Sequence, residues 1–224
     1  MTERKQMMKM RMNKIIAAVL AVSVLGAFTA CGDKTNYSSP ESSVQNSEIP
    51  TNPPAEPVLA ADDGPRLYIK DTTAAAGEIA EVTMAVENAE LKWNMCGIHV
   101  TYDNRLELQI VDEDEGRIRY KKGDASEYVT GSVGMIWKEE GLPDEVKSAG
   151  KGCLFYTEVF EGDYGLDGDI VTFYFKVPDD AESGTVYDIG FYYMDTDAFS
   201  NAEKDKSMEL YVFENWKGGT VTVI

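Results

Sequence analysis

GDIVTFYFKVPDDAESGTVYDIGFYYM, residues Gly168–Met194, holds two β-rich runs around a polar turn that starts at Pro178 and closes at Gly184. Aromatic and β-branched residues fill both runs, and such side chains suit a pleated, half-buried surface. The proline ends the first run because it has no N–H for a ladder, and the glycine supplies turn freedom. The same grammar repeats along the chain. Strands are predicted at 67–69, 79–86, 95–102, 106–111, 116–120, 128–137, 153–160, 170–177, 186–193 and 220–224. Gly, Pro, Asp and Asn clusters separate them at the intervals of a sandwich. Only 200–213 and 144–149 have a helical pattern. The fold class is therefore all-β, an antiparallel β-sandwich with a short helical insertion near the C-terminus.

Period-2 alternation assigns faces. In 95–102, Cys96, Ile98, Val100 and Tyr102 form one face and are expected in the core; Met95, Gly97, His99 and Thr101 form the other. In 186–193, Tyr187, Ile189, Phe191 and Tyr193 are expected inward. In 128–137, Val129, Val133, Met135 and Trp137 are the apolar set, leaving Tyr128, Thr130, Ser132 and Gly134 outward. The strand 153–160 is ambiguous because both alternations are partly apolar.

The N-terminus is a targeting segment. Arg4, Lys5, Lys9, Arg11 and Lys14 precede an apolar stretch, Ile15–Phe28, that is too short for a comfortable membrane span. It ends in Phe28-Thr29-Ala30-Cys31-Gly32, which resembles a bacterial lipobox with Cys31 as the lipidated residue, although Phe28 stands where a leucine is usual. Residues 1–30 are expected to be a lipoprotein signal peptide. Residues 31–62 are expected to be the lipidated cysteine and a flexible Ser/Pro/Asn-rich linker, which cannot bury enough apolar surface to offset the entropy of ordering. Residues 63–224 are expected to be one domain. Removing residues 1–30 leaves 16 basic against 38 acidic residues, a net charge of −22. That balance argues against nucleic acid and against electrostatic attachment to anionic lipid.

The run 95–108 (MCGIHVTYDNRLEL), the segment 176–193 (KVPDDAESGTVYDIGFYY) and the ending 208–224 (MELYVFENWKGGTVTVI) together resemble the cohesin family, closest to cohesins of ruminococcal type. The resemblance spans residues 67–224. It implies a nine-stranded jelly roll and a non-catalytic receptor for a dockerin module on a secreted enzyme or scaffoldin, with calcium expected in the dockerin and no cofactor on this chain. A cell-surface, lipid-anchored location on a bacterial membrane follows from combining it with Cys31. Matching the 160–163 end to the family's pattern turns Phe155, Thr157 and Val159 outward and Glu158 inward; a bulge there would reverse this. Cohesins dock their partner on one sheet face, which carries over to Met95, Gly97, His99, Thr101, Tyr128, Thr130, Ser132, Phe155, Thr157 and Val159. With these faces, Cys96 and Cys153 lie on opposite sides of a sheet and are expected to be free thiols.

Catalytic signatures are not found. His99 is the single histidine, so a Ser-His-Asp triad would hang on it alone. A solvent-facing strand histidine reads as plain surface, or as an interface residue that makes binding pH-sensitive. The acidic loops 112–116, 163–169 and 195–197 do not fit an EF-hand. Direct polysaccharide binding is the competing function. It would need Tyr192, Trp137, Trp93 and Trp216 to form a planar strip, and they do not fall on one predicted face. A lipoprotein subunit of an uptake system would need a longer chain.

Overall fold

The computed structural model describes residues 64–224. The described strands are β1 (Arg66–Ile69), β2 (Thr72–Ala74), β3 (Ile79–Glu87), β4 (Met95–Asp103), β5 (Glu107–Leu108), β6 (Ile110–Asp112) and β7 (Arg117–Ile118). They continue with β8 (Tyr120–Lys122), β9 (Gly131–Ile136), β10 (Lys151–Val159), β11 (Gly168–Lys176), β12 (Val186–Phe191), β13 (Ala198–Ser200) and β14 (Gly219–Val223). Two α-helices interrupt them, α1 (Asp144–Ser148) and α2 (Lys206–Asn215).

One sheet has the order β1-β3-β11-β5, with β8 also on β11. The other runs β2-β14-β12-β4-β10-β9-β7-β6, with β13 following β12 along the same edge of β4. Every pairing between these strands is antiparallel except β2 with β14. The inner faces enclose one core. Ala80, Val82 and Met84 of β3 and Phe173 and Phe175 of β11 oppose Ile98 and Val100 of β4 and Leu154 and Tyr156 of β10, all essentially inaccessible. Aromatic edges fix the spacing, with Tyr156 at 5.8 Å from Phe173 and Tyr102 at 5.0 Å from Phe175. At one end Trp93 is wholly buried between Phe160 and Phe199, and its Nε1–H donates to the Leu166 carbonyl at 3.3 Å. Gly165 lies flat on that indole; a Cβ there would stand 2.1 Å from a ring carbon, so no other residue fits.

Several sequence expectations are corrected. The runs 106–111 and 116–120 are each broken in two, because the chain changes sheets within them: β5 and β8 pair with β11, whereas β6 and β7 pair with each other. Short β2 and β13 are additional strands. With these breaks the described residues hold fourteen strand segments. The helical reading of 200–213 started too early. Residues 198–200 pair with β4, and α2 begins only at Lys206, where the Asp205 carboxylate accepts from the Ser207 and Met208 N–H groups. Such a cap is worth about 1 kcal/mol. Tyr193 is not inward: β12 stops at Phe191, and Tyr193 is about half exposed beside Phe213.

Candidate protein-binding face

Directly opposed residues of an antiparallel pair point to the same side of the sheet, so the register fixes the outer face of β12-β4-β10-β9. Met95 lies opposite Val159, Gly97 opposite Thr157, His99 opposite Phe155 and Thr101 opposite Cys153. On the far side of β10, Val159 meets Gly131, Thr157 meets Val133 and Phe155 meets Met135. Three outward rows thereby align across three strands, and a fourth, Thr101 with Cys153, across two. The β10 register is unbroken from Lys151 to Val159, with no bulge, so Phe155, Thr157 and Val159 face outward and Glu158 inward.

Ser132 is a correction. It faces the core side with Gly134 and Ile136, while Val133 and Met135 face outward. The cause is the space beneath Gly134, where a Cβ would meet Ile118 at 2.8 Å and Tyr120 at 3.2 Å. Large side chains from β7 and β8 already occupy that side, so the strand places its two small residues there. Ser132 Oγ lies 3.1 Å from the Tyr120 hydroxyl. Val133 and Met135, read from alternation as core, are therefore part of the outer surface.

His99 and Thr101 do face outward, but the chain covers them itself. His99 is 8% exposed and Thr101 5%. The His99 ring sits between Trp137 (4.6 Å) and Phe155 (4.7 Å), and its Nδ1 is 2.5 Å from Asp197 Oδ1. Asp197 is itself buried and also accepts from the Met194 N–H at 3.2 Å. His99 is thus clamped rather than a free surface residue. Thr101 lies between Cys153 and Gly190 in the register. Cys153 is packed under Leu142 and Val146 of the α1 segment, with Trp137 and Tyr192 at the margin. A hydrogen bond from the Tyr192 hydroxyl to Glu145 ties that segment down. Neither His99 nor Thr101 can offer side-chain area to a rigid partner.

What remains open is the β9 side of the face and its Val159 end. Val159 is 46% exposed, Met135 40% and Tyr128 53%; Met95, Val133, Phe155 and Thr157 are half-buried. Gly97 is buried and presents no side chain. Tyr128 and Thr130 precede β9 rather than belonging to it, and Thr130 is pinned by its N–H (2.9 Å) and Oγ1 (2.8 Å) to the Val159 carbonyl. Exposed Val159 and Met135 on neighbouring strands, with exposed Tyr128 in the loop before β9, leave apolar area open of the kind a protein contact uses.

Beneath this face lies a group that alternation flagged without explaining. Glu158 is 1% exposed, and burial pushes its carboxyl up to about 7 against hydrogen bonds from Ser126 and Tyr156 and the charge of Lys122. Burial also holds the Cys153 thiol up at about 12 and raises that of Cys96. Cys96 is inward and Cys153 outward, so the sheet separates the two thiols and both are free.

Among the described residues no group of three His, Cys, Asp or Glu could hold a metal ion, and no helix is long and apolar enough to cross a membrane. Of the aromatics proposed for a sugar strip, Trp93 is in the core, Trp216 stacks on Phe191 at 4.8 Å, and Trp137 and Tyr192 pack around Cys153. They form no common plane. Cys31 and the segments 1–30 and 31–62 lie outside the described residues.

No protein-family model and no curated protein matches the sequence. Solved structures do. A type III cohesin module from the cellulosomal ScaE cell-surface anchoring scaffoldin of Ruminococcus flavefaciens superposes with a TM-score of 0.60 at 24% identity, covering 75% of this chain and 92% of that one. A type I cohesin–dockerin complex from Clostridium thermocellum gives 0.49 at 16% identity, covering 72% and 99%. The seventh ScaB type I cohesin from Pseudobacteroides cellulosolvens gives 0.49 at 18% identity, covering 72% and 92%. The fold is that of a cohesin module.

Proposed function

We propose that this chain is a non-catalytic, cohesin-like receptor that binds a dockerin module on the open end of its β4-β10-β9 face. The observation that carries the reading is the set Val133, Met135 and Val159, apolar side chains left outward on neighbouring strands of a cohesin fold. A flat apolar centre with a polar rim suits the packed surface of a helical partner. The dockerin would bring its own calcium, and would belong to a secreted polysaccharide-degrading enzyme or a scaffoldin of a cellulosome- or amylosome-type assembly. Lipid on Cys31 would hold the receptor at the bacterial cell surface, with residues 31–62 as the spacer. Two or three acyl chains, each stabilising by about 0.8 kcal/mol per buried CH₂, suffice for lasting anchorage.

The test is capture of dockerin-bearing proteins from secreted material with and without a calcium chelator, followed by titration calorimetry. Chelator-sensitive capture is expected. Retention on cellulose or starch without any partner protein would instead support direct polysaccharide binding. Separately, Cys31→Ala should move the protein from the membrane fraction to the medium or leave it unprocessed; unchanged membrane retention with normal cleavage would refute the anchor.

A further inference from the structure

The register of β11 shifts between Asp169 and Val171, leaving Ile170 at a bulge. Its carbonyl accepts instead from the Gly123 N–H at 2.8 Å and lies 2.9 Å from Ser126 Oγ. The same Ser126 Oγ is 2.9 and 2.8 Å from the two Glu158 oxygens, and the Tyr156 hydroxyl donates to Glu158 Oε2 at 2.8 Å. Ser126 begins the short loop that leads to Tyr128 and Thr130.

A serine hydroxyl has a single proton to donate. When Glu158 is protonated, its O–H donates to Ser126 Oγ, Ser126 donates to the Ile170 carbonyl, and Tyr156 donates to Oε2. Every hydroxyl in that chain is used once as donor. When Glu158 is ionised, Ser126 must turn its proton to the carboxylate and releases Ile170. The buried charge then rests on two hydroxyl donors. Around it stand the Cys96 thiol of β4, Tyr156 of its own strand with Tyr120 edge-on at 5.3 Å, and Lys122 of β8, whose charge favours ionisation. The lightest wall is the loop itself. Its turn bonds are long, Ser126 N–H to Gly123 at 3.3 Å, Glu127 N–H to Asp124 at 3.2 Å and Val129 N–H to Ser126 at 3.2 Å. Opening it is the least disruptive way to bring water to the carboxylate.

We propose that Glu158 is a proton-dependent latch on the 124–130 loop, holding Tyr128 and Thr130 in place when protonated and loosening them when ionised. Its consequence for docking rests on the function proposed above; the latch itself does not. Burial places the carboxyl group near 7, within reach of ordinary changes in pH.

The experiment is hydrogen exchange on the full chain between pH 6 and 8, comparing wild type with Glu158→Gln at each pH so that intrinsic exchange cancels. Protection of the Glu127, Val129 and Thr130 amides in wild type, relative to the variant, should fall about tenfold across that range, most of it below pH 7, because opening returns the carboxyl to its ordinary 4.5 and the effect levels off above the folded value. The β3 amides should keep a constant ratio. Ser126→Ala, which removes the latch without touching the carboxylate's strand, should leave the loop open at both ends of the range. A flat ratio for the loop, or a change shared equally by β3, overturns the latch. A dockerin titration then reads its consequence. Affinity should fall from pH 6 to 8 in wild type and not in Glu158→Gln; equal affinities in wild type overturn the control of docking.

Discussion

Val159→Asp separates the docking face from the fold. Val159 ends β10 with its side chain outward and 46% exposed, so in the free domain a carboxylate there stays solvated. Stability should change by no more than about 0.5 kcal/mol, the usual range for a surface site. In the proposed complex the same position lies within the contact, flanked by Met95 and Gly131 in the register. A partner seated on it would strip water from the charge and offer no counter-charge. Burying even a neutral polar group without a partner costs roughly 1–3 kcal/mol in proteins, and a charge costs more. Taking about 3 kcal/mol, affinity should drop roughly 150-fold. The assay is titration calorimetry with a cognate dockerin beside thermal melts of each variant. Thr101→Asp is the internal contrast. At 5% exposure, between Cys153 and Gly190, it should lower the melting temperature rather than act selectively on binding. Unchanged affinity in folded Val159→Asp, with binding abolished by Thr172→Asp, which pairs with Thr83 on the other sheet, would show that the wrong face has been chosen.

Glu158 should also shape stability against pH. Its folded-state pKa of about 7 lies above the ordinary 4.5, so the folded state holds the proton more tightly. The contribution is complete below the unfolded value and is lost as pH rises through about 4.5 to 7, amounting to about 3 kcal/mol. Denaturant melts of wild type minus Glu158→Gln at pH 4 and 8 should differ by that order; no difference would place the carboxyl in water. Gly134→Val should destabilise by about 1–3 kcal/mol through overpacking against Ile118 and Tyr120, measured by thermal melting. A neutral result would mean that β9 presents the opposite face. Val177→Asp and Ile189→Asp, at 0% and 2% exposure, should abolish the cooperative transition in circular dichroism.

The sandwich was legible because most strands here are long and one-sided. In β4, Cys96, Ile98, Val100 and Tyr102 alternate with small or polar residues, and the core takes that set unaltered. The ends of elements were less legible. The run from 200 reads as helix, yet Ser200 pairs with Met95 of β4 and Asp205 offers the cap that fixes the helix start. Sheet switching at Gln109 and Arg119 left no local trace, since a residue between two short strands reads like one within a single strand. It depends on partners far away: the Gln109 N–H donates to Tyr174 and its carbonyl accepts from Arg119.

The outer face of β4, β10 and β9 shows the same limit more sharply. Alternation can say that two sets of residues share faces, but which set is buried depends on the volume waiting on each side. In β9 the apolar set lost the core to Ile118 and Tyr120, and the two small positions, Ser132 and Gly134, went under. In β10 the opposite occurred. A glutamate entered the core because Ser126, Tyr156 and the bulged Ile170 carbonyl form a polar niche there. His99 and Thr101 were placed on the correct side but closed over by Trp137, Cys153 and the α1 segment, which arrive from elsewhere in the chain. These three departures have a common effect on the surface. They leave the exposed apolar area on β9 and at the Val159 end of β10 rather than on β4, and they set a titratable carboxyl beneath that end. The part of the sheet best suited to a partner is therefore also the part whose supporting loop responds to a proton.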